Sequence, residues 1–216
     1  MQCHYFIHQQ VQLKLFINRY CVIRSNQVYG NDLDIELSSS DFDNFMKSLY
    51  AEVPLNYPKF FKMDSLSKLG FITSELLLRN YDLDSFEKDE VGVVIANSSA
   101  SNAVDIAYYD TIKDKANFFP SPALFVYTLP NIMIGEICIK NGFYGENGFF
   151  ISKSFDEMFV VEYVRNLFET GTVSCCIVGW VDFSLKNYNS SLFLVTSDEV
   201  GAKTPFSIEG IRDLLS

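Results

Sequence analysis

Val91-Gly-Val-Val-Ile-Ala96, followed at once by Asn97-Ser-Ser-Ala-Ser101, is the stretch that decides the fold class. The first part is a short unbroken apolar run rich in β-branched residues. A strand with one wet face alternates polar and apolar positions, so a continuous run predicts a strand covered on both faces. The small polar residues behind it predict a turn. Toward the C-terminus, Asn102 to Lys113 reads as a helix. Ser121 to Lys140 reads as a buried helix that Pro130 kinks or delays and that Asn141-Gly142 ends. Gly148 to Ser152 reads as a short strand, and Phe155 to Thr170 as an amphipathic helix stopped by Gly171. Thr172 to Phe183 is a second fully apolar strand, Ser191 to Thr196 one more, and Ile208 to Leu215 a last helix.

Toward the N-terminus, Asp64 is placed to cap a helix from Ser65 to Arg79, whose Leu66, Leu69, Phe71, Ile72, Leu76 and Leu77 form a broad apolar surface. Phe42, Phe45, Met46 and Leu49 have helical spacing within Asp41 to Tyr50, and Pro54 and Pro58 follow. Gln12 to Ser25 predicts an opening strand or hairpin closed at Tyr29-Gly30-Asn31-Asp32. Strands that alternate with helices, several of them apolar throughout, predict an α/β sandwich: a mixed central sheet with helices on both faces.

The 216 residues, 48% of them hydrophobic, suffice for one sizeable core, and the absence of repeats or linker-like tracts predicts one domain over residues 1–216. Seventeen basic against 27 acidic residues give a net charge of −10, which repels a phosphate backbone and excludes nucleic acid as the expected partner. Cys3, Cys21, Cys138, Cys175 and Cys176 are odd in number and scattered, as in a chain kept in a reducing cytoplasm. The segment Met1 to Arg24 is interrupted by His4, His8, Lys14 and Arg19 and has no signal-peptide apolar region. The longest apolar stretch, Ala123 to Ile139, contains Pro130, Asn131 and Glu136 and falls short of the roughly 20 apolar residues that span a bilayer. Cytoplasmic placement leaves the Asn-Ser-Ser sequons at Asn97 and Asn189 without a glycosylating compartment. Cys3, His4 and His8 stand near a chain end without a fourth ligand, so no metal is expected, and no cofactor is implied.

Four stretches between Phe60 and Phe183 together resemble the N-terminal half of a β-ketoacyl synthase of the thiolase superfamily. Lys62-Met-Asp-Ser-Leu-Ser-Lys-Leu69 is similar to the helix that the family opens with Arg/Lys-Met-Asp. Val91-Gly-Val-Val-Ile-Ala-Asn97 resembles its first central strand and small-residue turn. Ser121-Pro-Ala-Leu-Phe-Val-Tyr-Thr-Leu-Pro-Asn131 resembles the segment that meets the dimer partner and lines its acyl tunnel. Asn141-Gly-Phe-Tyr-Gly-Glu-Asn147 is similar to the Tyr-Gly-Leu-x-Gly-Pro-Asn that precedes the nucleophile strand. The resemblance implies a thiolase-like half-domain.

A ketosynthase holds its cysteine nucleophile at a strand-to-helix elbow, where the helix dipole and backbone amides favour thiolate and oxyanion. Counted from Gly145, that position falls on Ser154, and the same register carries Gly171 and Gly179 onto later family glycines. Serine needs a base, and the only histidines, His4 and His8, lie far upstream of the family motifs. The family's catalytic histidines belong to its C-terminal half. Ser154-Phe-Asp-Glu157 reads more simply as a capping box. Cys175 and Cys176 sit in an apolar run and read as core. No catalytic residue is expected.

The resemblance therefore implies a subunit of the chain-length-factor type, known beside polyene and polyketide synthases. Such a subunit pairs with a complete ketosynthase, which supplies the chemistry. Phe125, Val126, Tyr127, Thr128 and Asn131 would then line the acyl tunnel or the interface, and Gly148 to Ser152 would pair across the two-fold axis. An acidic acyl carrier protein would dock through the partner, because this chain's own charge repels it. Two other readings stay open: residual decarboxylation of a malonyl thioester, and a homodimeric scaffold that has kept only the fold.

Overall fold

In a computed structural model, which describes residues 13–38, 41–53, 55–185, 187–199 and 204–216, the Val91 stretch is strand β4 (Val91–Asn97), buried along its entire length. Its burial comes from its position in the sheet. Here β1 is Phe16–Arg24, β2 Gln27–Gly30, β3 Leu33–Glu36, β5 Asn147–Ile151, β6 Cys175–Phe183 and β7 Tyr188–Thr196. The strands run in the order β3-β2-β1-β7-β6-β4-β5, and β8 (Thr204–Pro205) pairs with the start of β1. β4 is parallel to both neighbours, β5 and β6, and all other pairings are antiparallel. The sheet is mixed, as the sequence predicts.

Side-chain alternation along the strands sends Val93, Ile95, Cys175 and Ile177 into one core and Val94, Cys176 and Val178 into the other. The first core is covered by α1 (Phe42–Glu52), α2 (Ser65–Leu78) and α5 (Ile132–Asn141), the second by α6 (Glu157–Glu169) and α7 (Ile208–Leu215). β1 contributes to both. Ile17 belongs to the second core and Cys21 to the first, although four residues apart they should share a face. A register shift between Ile17 and Arg19 against β7 supplies the extra residue that reverses the parity.

Local signals placed the element ends. Asp41 and Asp64 cap α1 and α2, each carboxylate accepting the amide of the third residue on, from Asn44 and Ser67. Ser25 and Asn26 both have positive φ, the conformation of a two-residue hairpin turn, and join β1 to β2. Gly142 ends α5 in the left-handed region at φ +69°, and Gly171 stops the chain after α6 at φ +68°.

The apolar stretch after Ser121 differs from its sequence reading. It forms two helices, α4 (Pro122–Val126) and α5, separated by Tyr127–Asn131, and not one buried helix. Proline disfavours helical geometry in the residue before it and lacks an amide of its own, so Pro130 breaks the helix outright. Only α5 is buried, through Met133, Ile134, Glu136 and Ile137, whereas α4 buries nothing. The remaining helix, α3 (Asn102–Asp110), packs against α4 and ends three residues before the expected Lys113. Among the described residues no helix is long and apolar enough to cross a membrane.

Candidate functional site

The carboxyl ends of β4, β5 and β6 converge on an open cleft of about 590 Å³, the place where parallel α/β sheets generally bind ligands. Phe155 and Trp180 form an aromatic wall with ring centroids 6.1 Å apart, and Arg24 and Lys153 bring positive charge to the rim. Ser98 and Asp182 also line the cleft.

Asp182 is the one charged residue of an otherwise apolar strand, and it serves the turn after β4 as an acceptor. Its Oδ1 accepts the amides of Ser98 (3.0 Å) and Ser99 (2.9 Å), and its Oδ2 accepts their hydroxyls at 3.0 and 3.2 Å. The turn is tight. Ala100 has φ +47°, and the buried Asn97 side chain closes a loop with it by donating to the Ala100 carbonyl and accepting its amide. Both Asp182 oxygens are therefore committed to the turn.

Ser154 lies in this cleft, exposed, between β5 and α6. Its carbonyl accepts the Ser152 hydroxyl at 2.8 Å. The cap of α6 is Asp156, whose carboxylate accepts the Phe159 amide at 3.0 Å, so the Ser154 capping box is corrected by two residues. The chain leaves the strand over Ser152 to Phe155, and by then a carboxylate, which also suits the helix dipole, stands at the cap. His4, His8 and Cys3 lie outside the described residues.

Three further cysteines are shut away. Burial pushes the Cys175 thiol up to about 12, and it pushes the thiols of Cys176 and Cys21 well above the usual range. Cys138, partly buried, is pushed up to about 11. In native protein at pH 8, Ellman's reagent is expected to leave Cys21, Cys175 and Cys176 unmodified until denaturant is added. Rapid labelling of any of the three in the folded state would contradict this burial.

The segment expected to line a tunnel is split between outside and inside. Phe125 is 59% exposed and Val126 48%, and the Phe125 ring meets Tyr108 at 5.4 Å between centroids. Tyr127 turns inward against the first core, Thr128 donates its hydroxyl to the Phe125 carbonyl at 2.7 Å, and Asn131 starts α5. Ile106, Tyr109, Phe118 and Phe119 of α3 and the loop behind it are also exposed, Phe119 by 79%. Scattered apolar residues are ordinary on a surface, and here they are gathered on two packed neighbouring elements.

Among the described residues β5 is one of the two edges of the sheet, with β3 at the other. Val93 donates its amide to the Glu146 carbonyl and Ser152 donates its own to Asn97, so the even-numbered residues face β4. By the alternation of a parallel ladder, Asn147, Phe149 and Ile151 direct their amides and carbonyls outward. Ile151 is 61% exposed, and the exposed Phe159 of α6 lies beside the strand's end.

Asp182 was not singled out by sequence reasoning, although the signal was present, a carboxylate in an otherwise apolar strand.

No protein-family description and no curated protein matches the sequence. Solved structures do. The ishigamide ketosynthase/chain length factor superposes with a TM-score of 0.63 at 18% identity, covering 89% of this chain and 64% of that one. A type II polyketide synthase ketosynthase, in complex with its acyl-carrier protein, gives 0.60 at 12%, with 89% and 66% covered. A ketosynthase in complex with its chain length factor from Xenorhabdus doucetiae gives 0.55 at 12%, with 85% and 79% covered. The chain thus spans less than two-thirds of the length of the first two. At such identities the likeness speaks for the fold, and the fold is that of the ketosynthases, a mixed sheet layered by helices on both faces.

Proposed function

We propose that this chain is a non-catalytic, chain-length-factor-type subunit that pairs with a complete ketosynthase and shapes the cavity in which that enzyme grows its acyl chain. The observation that carries the reading is the edge of β5, unpaired among the described residues, with its outward amides and carbonyls and its exposed Ile151. An exposed edge is a liability that proteins cover or blunt, and here it carries no charged residue from Asn147 to Ile151. The similar structures include complexes of a ketosynthase with a chain length factor and with an acyl-carrier protein, which supports the same partners for this chain.

Chemistry is assigned to the partner. The sequence contains only His4 and His8, a serine stands where the family places its cysteine, and the nearby Asp182 is bound to the turn at 97–101. The exposed Phe125 ring serves as floor or gate of the partner's cavity.

The test is co-expression with a complete ketosynthase encoded in the same genome, followed by size exclusion and product analysis. A one-to-one complex is expected, and Phe125→Ala is expected to shift its products toward longer chains. Elution of this chain as a homodimer in the ketosynthase's presence would favour the scaffold reading. Malonyl-thioester turnover by the isolated chain would favour the decarboxylase.

A further inference from the structure

α5 is apolar on its buried face, where Met133, Ile134 and Ile137 pack against α2, yet Glu136 lies among them with its side chain only 5% exposed. Burying a carboxylate costs more than burying a residue such as leucine, and a buried ion pair gives at best weak net stability. Stability therefore does not account for a glutamate there. Its reach does. Oε2 meets the Lys59 ammonium at 2.7 Å, and Oε1 accepts the Tyr127 hydroxyl at 3.3 Å. Burial, together with the charge of Glu136, raises the Tyr127 phenol above its ordinary range, so it remains a donor.

Tyr127 is the C-cap of α4, a helix of five residues with no buried side chain. So short a helix does not hold its own conformation in water. Besides the Ser121 cap and its packing on α3, two anchors hold its C-terminal end. Tyr127 is bound from within by Glu136, while the Thr128 carbonyl accepts the hydroxyl of the buried Ser101 at 2.8 Å. Phe125, two residues before Tyr127, projects on the opposite, exposed side and rests on Tyr108. We infer that Glu136, held by Lys59, is a positioning residue that sets how Phe125 and Val126 are presented to the partner, and so fixes the length of chain that the complex makes. This inference rests on the proposed function.

The experiment uses the co-expressed complex described above, with Tyr127→Phe, Glu136→Gln and Glu136→Leu compared with Phe125→Ala. Product distribution per mole of complex, the amount of complex and the melting temperature are all measured. Tyr127→Phe and Glu136→Leu are expected to change the ratio of longer to principal product several-fold, with complex yield and melting temperature close to the parent's. Glu136→Gln keeps an acceptor for Tyr127 and should lie nearer the parent. If Phe125→Ala shifts the products and Tyr127→Phe and Glu136→Leu do not, positioning is wrong and the proposed function stands. If none of the variants shifts them, including Phe125→Ala, the tunnel role fails and the inference with it. Lower yield or melting temperature at an unchanged product ratio would make Glu136 merely structural and overturn the inference. Should Glu136→Leu fail to fold, Tyr127→Phe, which removes one oxygen, decides.

Discussion

Ile151→Pro is expected to weaken association with the ketosynthase partner at least ten-fold while leaving the fold intact. Ile151 is on the edge strand β5, and its amide points away from β4, so proline removes no hydrogen bond between β5 and β4. In a strand-to-strand interface the same change deletes one donor, strands the partner's acceptor at about 1–3 kcal/mol, and pushes a ring into the seam. About 1.4 kcal/mol corresponds to ten-fold in affinity, so the loss is readable by titration calorimetry or by co-purification. Melting of the isolated variant should stay within a few degrees of the parent, and Ile151→Val, which keeps the amide, should bind normally. Unaltered affinity of the proline variant would remove β5 from the interface and take away the observation on which the proposed function rests.

The largest stability effect is expected at Gly179. This residue is on β6, an inner strand flanked by β4 and β7, and it has φ +157°. A Cβ built there lies 2.0 Å from the Ser191 carbonyl oxygen and 3.0 Å from the Leu192 Cα, both backbone atoms of β7. Neither can yield without parting two strands in the middle of the sheet. Overpacking and the strained backbone together put the cost of Gly179→Ala at about 3–5 kcal/mol. For a chain of this size that is a fall in melting temperature of roughly 10–15 °C. Gly171→Ala provides the control, because Gly171 also has positive φ but has nothing within 4 Å of its Cβ. It should cost only about 1–2 kcal/mol, the left-handed penalty. Equal destabilisation by the two would show that close approach of β7 is not what glycine serves at 179.

Much of the secondary structure was legible because its causes are local. Asp41 and Asp64 cap the helices they precede through amides two or three residues away, and apolar runs marked β4 and β6. The same local view failed where a neighbourhood offers two equivalent solutions. Ser154 and Asp156 can both cap a helix, and only the path of the chain leaving β5 selects Asp156. Ala123 to Ile139 is apolar enough for one buried helix, yet its first part ends up on the surface, because Pro130 divides it and only the second part meets α2. Of the residues expected at an interface, Phe125 and Val126 are indeed exposed, and Tyr127 is turned into the core.

By itself, then, the sequence determined the α/β class, most of the elements, the Asp64 cap and the serine at position 154, because each depends on residues within a few positions of one another. Only the tertiary structure decided the order of the strands, which leaves β5 at the edge and sets β1 beside β7 some 170 residues later in the chain. It also brought Asp182 to Ser98 and Glu136 to Lys59. These pairs are 84 and 77 residues apart, and no local rule selects a partner at that distance. Such pairs follow from how the two cores close on the sheet, and that depends on all the apolar residues at once.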